Sequence, residues 1–435
     1  MALISADALN PGVQRREVLA WAMYDFANSG YTTVVLTAVF AAYFVGVVAD
    51  GQDWAPFAWT LALGMSNAVV MITMPVLGAW ADRHGTKKHL LMLSTLGCVL
   101  ATAALGGVGP GAVVLGMMLV ALSNLFYAWG ESLVAAFLPE LARPAAMGRV
   151  SGWGWSLGYL GGMLALGLSL AYVLWAQSQG QAATDFVPVT MWITAAIFAL
   201  AALVTFAWLH ERPQPRPASG DGLWKGAWRQ WHRSYHCARQ YPDFMWLLAC
   251  AVAYQGGVAV TIALAAIYAE QVIGFAQQET MALIFVLNIA AALGAFGFGY
   301  GQDRLGHKRA LAITLVGWVL TCVIAALSTS KGTFWYAAVI AGFCMGSSQS
   351  AGRAMAGLLA PPAQLAEFYG LWTFAIRLAS ILGPLGYGAI TWATGGNQRV
   401  AIAATALLFL VGLVLLLPVN MARGRQQALA APVRP

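Results

Sequence analysis

Four ionisable side chains stand well inside apolar stretches of the sequence: Asp25, Glu131, Arg353 and Arg377. A charge at the centre of a bilayer costs at least about 2.5–3.5 kcal/mol, so each one needs a partner or a task. Asp25 lies nine residues beyond Arg16, and Arg377 ten beyond Glu367. At about 1.5 Å per residue both are roughly 15 Å deep, near a membrane midplane. Glu131 stands twelve residues before Arg143 and Arg353 eight before Pro361, which puts them roughly 12–18 Å from the same edge. Polar residues share their helical faces at i, i+3, i+4, i+7 spacing: Asn28, Ser29 and Thr32 with Asp25, then Asn124 and Tyr127 with Glu131. Gln349 and Ser350 accompany Arg353, and Thr373 and Ser380 accompany Arg377. Such stripes do not face lipid.

The acids fall in the first half of the chain and the arginines in the second. A cavity between the halves would present carboxylates on one wall and guanidinium groups on the other. A zwitterion such as an amino acid or short peptide fits that field, with its ammonium toward Asp25 or Glu131. Its carboxylate would meet Arg353 or Arg377, where bidentate contact is available. Two other readings stay open. The four groups could pair with one another as gate salt bridges. Alternatively, Asp25 or Glu131 could carry a proton by alternating between a desolvated and an Arg-paired setting.

The elements that position these groups follow from composition. Of 435 residues, 60% are hydrophobic and 9% charged, against about a quarter charged in an ordinary soluble domain. That is too little polar surface for a soluble globule of this size. The apolar residues form runs long enough to cross a ~30 Å hydrocarbon core, without the alternation of barrel strands. The sequence predicts an all-α polytopic membrane protein with twelve spans: 18–44, 55–79, 89–108, 111–138, 150–175, 187–209, 244–268, 279–301, 308–328, 334–358, 366–393 and 398–418.

Charge supplies the orientation. Nineteen of the 23 Lys and Arg residues fall in one alternating set of connections, from Arg15 and Arg16 through Arg212–Arg239 to Arg434. Two, Lys331 and Arg399, fall in the other set, and two lie inside spans. The positive-inside rule places both termini and the central loop in the cytoplasm. The net charge of +7 is thus a topology signal and excludes a nucleic-acid partner. The expected organisation is a cytoplasmic N-terminus (1–17), a six-span half (18–209), a cytoplasmic loop (210–243), a second half (244–418) and a cytoplasmic tail (419–435). Within the loop, Leu223–Tyr241 reads as an interfacial helix with Trp224, Trp228 and Trp231 on the membrane. His232 and His236 sit there as part of that face, and no metal or cofactor is expected. Cys98, Cys250, Cys322 and Cys344 lie in spans and read as packing residues.

A motif recurs after the second span of each half. The first copy is Gly78-Ala-Trp-Ala-Asp82-Arg83-His-Gly85-Thr-Lys87-Lys88, the second Gly299-Tyr-Gly-Gln-Asp303-Arg304-Leu-Gly306-His-Lys308-Arg309. Its Gly, Asp, Arg, Gly and basic positions match one for one at a separation of 221 residues. Duplicated halves of this kind mark transporters. Asp82, Arg83, Asp303 and Arg304 are expected to act as a gate or latch, pairing across the half-to-half seam or complementing a helix end.

The motif and its repetition resemble the signature loop of the major facilitator superfamily. Three stretches are similar to one branch of it, which includes the autophagy-related vacuolar amino-acid effluxers and their bacterial relatives. They are Trp21-Ala-Met-Tyr24-Asp25-Phe26-Ala27-Asn28-Ser29, Ser151-Gly-Trp-Gly-Trp155-Ser-Leu-Gly158-Tyr159-Leu-Gly161-Gly162 and Ala366-Glu367-Phe368-Tyr369-Gly370. The resemblance implies two pseudo-symmetric six-helix halves, a cavity lined by spans 1, 4, 7 and 10, and alternating access by a monomer. It adds Gln255 in span 7 and Asn288 in span 8 to the cavity. With Tyr24, these join Asp25, Asn28, Asn124, Glu131, Gln349, Arg353 and Arg377 as expected substrate contacts. Glycines of spans 5, 8 and 11 (Gly152–Gly162, Gly294–Gly301, Gly383–Gly388) would form the rocking seam.

No G-x-x-x-x-G-K-[ST] phosphate loop and no H-E-x-x-H pair occurs. The expectation is therefore a transporter and not an enzyme. Its cargo would be a small zwitterionic metabolite such as an amino acid, with protons as the candidate coupling ion. The alternatives are a permease for a larger anionic or muropeptide-like compound, or a transporter-fold sensor without transport.

Overall fold

The computed structural model describes residues 6–52, 54–212 and 236–430. Its long helices are α1 Arg15–Gly30, α2 Ala55–His84, α3 Lys87–Leu105, α4 Val113–Ala135, α5 Met147–Ser178, α6 Ala183–Trp208, α7 Pro242–Tyr268, α8 Gln277–Leu305, α9 His307–Leu327, α10 Lys331–Leu359, α11 Leu365–Ala393 and α12 Gln398–Leu416. A short α13, Met421–Leu429, follows. No strand occurs among the described residues. Eleven of the long segments are apolar enough to cross a membrane. The twelfth, α10, has the length, at 29 residues, but carries Ser347, Ser348, Gln349, Ser350 and Arg353 in its second half. The chain is a multi-pass membrane protein with the twelve-helix, two-half architecture that its hydropathy predicts. Leucines and valines on outer faces, such as Leu93, Leu96 and Leu100 of α3 or Leu407, Leu410 and Val414 of α12, are exposed, as lipid-facing residues are.

The first span departs from the expected single helix over 18–44. Beyond Gly30 its hydrogen bonds lengthen to i→i+5, with Val39 N donating to Val34 O and Ala49 N to Phe44 O. The Thr37 hydroxyl donates to the carbonyls of Thr32 and Thr33, and such side-chain bonds compete with the regular ladder. The first span of the second half ends in the same way, in a π turn at Ala269–Ile273 closed by Gly274 at φ 82°.

The end that carries the repeated motif, here termed the basic end, is tightly tied. Gly85 and Gly306, equivalent in the two copies, terminate α2 and α8 at φ 61° and 89°, a region only glycine enters cheaply. A segment before α1 lies against the α4–α5 connection. There Asn10 Nδ2 donates to the carbonyls of Pro139 and Glu140, and Arg143 Nε donates to that of Leu9. Arg212 Nη2 donates to both carboxylate oxygens of Glu17, at 3.0 and 2.9 Å. α13 is held by Arg423, which donates to the buried Asp243 carboxylate at 2.9 and 2.7 Å. The expected interfacial helix falls largely on residues 213–235, which lie outside the described residues, as do His232 and the three tryptophans named with it.

The glycines expected to form one seam do several different jobs. Gly152 of α5 meets Ala295 and Gly299 of α8 across the halves. Gly161 instead meets Phe26 of α1, and Gly294 meets Phe343 of α10, both within one half. Gly383 meets Gly256 of α7, while Gly297, Gly301, Gly386 and Gly388 have open space beside them. The other main seam pairs α2 with α11, through Gly78 against Ala366 and Gly370 against Met74 and Pro75. Sequence composition marked the glycine-rich helices but not the partner of each glycine.

Candidate functional site

The halves meet at the basic end through two pseudo-symmetric caps. The Asp82 carboxylate at the end of α2 accepts the backbone N–H groups of Ala366 and Glu367, which open α11, at 3.2 and 2.9 Å. The Asp303 carboxylate at the end of α8 accepts those of Gly148 and Arg149, which open α5, at 2.9 and 3.3 Å. Each motif acid thus satisfies the first-turn donors of a helix in the opposite half, where an anion also complements the helix dipole. Of the two arrangements open from sequence, Asp82 takes the helix-end one, while Asp303 takes both, since its carboxylate also pairs across the seam with Arg149 Nε at 3.3 Å. Arg83 is half-buried beside Asp82, and Arg304 is exposed. The hydroxyl of Ser151 in α5 donates to the carbonyl of Ser350 in α10, tightening the same closure. In this structure the basic end is shut.

Removing both caps is expected to open it. A helix N-cap contributes about 0.5–2 kcal/mol, and every 1.4 kcal/mol is tenfold in population. The Asp82→Ala/Asp303→Ala variant should therefore shift the balance toward an open basic end by an order of magnitude or more. Spin labels at the exposed positions Ala145 and Leu305 would report a longer distance.

Above this closure lies a cavity of about 90 Å³. α1 contributes Asp25, Asn28 and Ser29, α4 contributes Tyr127 and Glu131, and α5 contributes Trp155. α10 adds Gln349 and Arg353, and α11 adds Tyr369, Trp372, Thr373 and Arg377. The four intramembrane charges, drawn from four helices, come together here. They form two cross-half ion pairs, with Arg353 Nη1 donating to Asp25 at 2.7 Å and Arg377 Nη2 to Glu131 at 2.8 Å. The pairs are built differently. Arg353 also donates from Nε to Ser151 Oγ and from Nη2 to Ser151 O. Its guanidinium lies between the Trp21 and Trp155 rings, 4.7 and 5.2 Å from their centroids. Arg377 makes one hydrogen bond, to Glu131, above the Tyr127 ring at 5.9 Å.

Four other expected contacts are placed elsewhere or behind the wall. The Tyr24 hydroxyl bonds Thr95 Oγ1 on α3 and its ring meets Phe198 edge-on. Tyr24 therefore points into the core of the first half, not the cavity. Asn124 donates to Ser66 and Asn67 of α2 and is consumed in helix pairing. Asn288 donates to the Ile284 carbonyl of its own helix and does not line the cavity. Gln255 supports it from behind, exchanging hydrogen bonds of 2.7 and 3.2 Å with Gln349. Trp155, Tyr369 and Trp372 were not singled out as contacts from sequence, because an aromatic in an apolar span reads as packing. The stretch Gly154-Trp155-Ser156-Leu157-Gly158 matches a G-x-S-x-G elbow in letters, but it runs through the interior of α5 without the strand and sharp turn such an elbow needs.

A larger cavity, about 240 Å³, lies at the basic end among Asn10, Asp82, Lys87, Glu140, Arg212 and Arg425. Most of its charges have partners, as those of the midplane cavity do, and Arg425 Nε is buried without one. Lys87 pairs with Glu140, Arg212 with Glu17, and Asp82 with the α11 amides. The midplane cavity, whose charges stand where burial is most expensive, is the stronger candidate for cargo.

The family model for vacuole effluxer Atg22-like proteins matches residues 55–429. The chain belongs to the Atg22-like family. Within it, the chain is 26% identical over 410 residues to the uncharacterized MFS-type transporter YxiO of Bacillus subtilis, covering 91% of this chain and 93% of that one. It is 22% identical over 475 residues to autophagy-related protein 22-1 of Penicillium rubens, covering 89% and 78%. Among solved structures, the human organic anion transporter MFSD10 superposes with a TM-score of 0.75 at 16% identity, over 92% of this chain and 99% of that one. The proton:xylose symporter XylE gives 0.72 at 12%, over 93% and 95%. This Atg22-like chain therefore has the major facilitator fold, and its family is one of MFS-type transporters, not of enzymes.

Proposed function

We propose that the protein moves a small zwitterionic, amino-acid-like metabolite by alternating access of its two six-helix halves around the midplane cavity. The observation that carries this reading is the pair of carboxylate–guanidinium bridges across the cavity, acids on one half and arginines on the other. A zwitterion entering between them offers each wall the opposite charge, so no buried charge is left alone. Similarity to the vacuole effluxer Atg22-like family supports a transport role for the cavity. The cavity measures about 90 Å³, less than the roughly 150 Å³ that holds benzene, so any cargo requires it to widen and a small one requires least. A muropeptide-like compound would need it to widen considerably.

The positive-inside rule puts the basic end, both termini and the 210–243 loop in the cytoplasm, and the likeness to a bacterial relative supports a bacterial inner membrane. The structure is, on this assignment, an outward-facing or occluded state, with α1 and α7 carrying π turns near the outer gate. Asp25 and Glu131 are the candidate proton carriers, since rocking of the halves would separate each from its arginine. The working unit is a monomer.

Thermal unfolding of the detergent-purified protein against amino acids, their decarboxylated amines and their N-acetylated acids tests the cargo class. A ligand of the folded state present at 100 times its Kd adds about 2.7 kcal/mol. The expected result is a rise in midpoint with compounds that carry both charges and none with either half alone.

A further inference from the structure

We infer that the two cavity ion pairs have different tasks: Glu131–Arg377 reads the cargo, and Asp25–Arg353 is a strut that ties the halves together. The inference rests on the zwitterion reading above and assigns its chemistry to residues.

Arg353 is the more heavily engaged arginine. All three of its nitrogens donate, to Asp25, Ser151 Oγ and Ser151 O, and the Trp21 and Trp155 rings lie 4.7 and 5.2 Å from its guanidinium carbon. Its carbonyl accepts from the Tyr369 hydroxyl, which fixes the backbone that carries it. The side chains of Arg353 and Asp25 are only 7% and 10% exposed. A cargo carboxylate would have to compete with Asp25 and Ser151 for a guanidinium whose three nitrogens are all engaged and which is largely buried.

Arg377 is the opposite case. A guanidinium has five N–H donors, and this one makes a single hydrogen bond while its Nε is buried without an acceptor. A buried donor left unpaired is unfavourable, and the cavity that Arg377 lines is where an acceptor would arrive. Its partner Glu131 is the most accessible of the four charges, with a side chain 35% exposed. A zwitterion can insert here with its carboxylate on Arg377 and its ammonium on Glu131. The direct bridge between α4 and α11 is then replaced by one through the cargo, and the strut stays intact until the halves rock.

The assignment predicts a swap of preference. Losing one charge-assisted contact is worth about 10- to 100-fold in affinity. In Arg377→Gln, zwitterions should bind that much more weakly, while the decarboxylated amines bind as well as zwitterions or better. In Glu131→Gln, zwitterions should weaken likewise and the N-acetylated acids should gain. The Glu131→Gln/Arg377→Gln double variant leaves no unpaired charge, so it serves if a single variant does not fold, and it should lose discrimination among the three classes. Asp25→Asn/Arg353→Gln should keep the wild-type ranking of the classes.

The experiment is thermal unfolding of wild type and these variants against the three compound classes. Swapped preferences in the 131 and 377 variants, with the wild-type ranking kept in the 25/353 variant, support the assignment. If the 25/353 variant changes the ranking and the others keep it, the assignment is overturned while the zwitterion reading stands. Stabilisation of wild type by acids alone, by amines alone or by none of the three overturns both.

Discussion

Truncation of Arg353 to alanine is expected to lower stability by about 3–5 kcal/mol, the cost of leaving a buried charge without its partner, and to abolish transport of every cargo alike. Asp25 loses its counter-charge, Ser151 loses two donated hydrogen bonds, and the space between Trp21 and Trp155 empties. The neutral pair Asp25→Asn/Arg353→Gln should recover most of the stability, because neither member is then a stranded ion, without recovering the wild-type rate. Thermal unfolding together with uptake into proteoliposomes checks both parts. An alanine variant as stable as wild type, or one that loses only carboxylated cargo, would show that Arg353 is a cargo contact and not a strut.

The second large effect is steric. Gly78 on α2 lies so close to the carbonyl of Ala366 on α11 that an added β-carbon would overlap it, and Gly152 on α5 stands in the same relation to Ala295 on α8. Both contacts cross from one half to the other at the shut basic end, so parting the halves there would relieve them. Overpacking costs about 1–3 kcal/mol at each site, all of it charged to the closed state, and every 1.4 kcal/mol is tenfold. Gly78→Val/Gly152→Val is therefore expected to hold the basic end open and stop turnover. Labels at Ala145 and Leu305 should report one long distance. Gly346→Val offers the contrast, since Gly346 of α10 presses on Ala291 of α8 inside one half. That variant should lose stability without shifting the distance. If Gly78→Val/Gly152→Val leaves the distance and transport unchanged, the α2–α11 and α5–α8 seams are not the moving surfaces.

Much of this was legible in the sequence, for physical reasons that also mark where legibility ends. Twelve helices follow from apolar runs because the bilayer leaves the backbone little choice. Asp25, Glu131, Arg353 and Arg377 stand out because a charge in hydrocarbon is expensive, and all four line one cavity. Which acid takes which arginine was not readable, since the partners lie 328 and 246 residues apart. Asn124 is expected at the cavity because it shares a stripe with Glu131, and Tyr24 because it stands in the family-like stretch that carries Asp25. Their partners, Thr95, Ser66 and Asn67, are on neighbouring helices, and helical spacing says nothing about those. The π turns after Gly30 leave no periodic trace either: the first holds Thr37, whose hydroxyl donates to the ladder carbonyls of Thr32 and Thr33, while the second, Phe44–Val48, contains no threonine. The repeated motif located Asp82 and Asp303 at the seam and left cross-seam pairing and helix-end complementation both open, but the amides they accept, on α11 and α5, lie 284 and 155 residues away and carry no mark in the sequence.

Counterflow in proteoliposomes tests the central claim most directly. Vesicles loaded with unlabelled amino acids, the matching amines or the N-acetylated acids would be challenged with a labelled amino acid outside. The account predicts accumulation of label only when the interior holds compounds bearing both charges, and none with Arg353→Ala or with Gly78→Val/Gly152→Val. Equal counterflow with N-acetylated acids inside, or uptake of label that is insensitive to those variants, would contradict a cavity that carries zwitterions between its two charged walls.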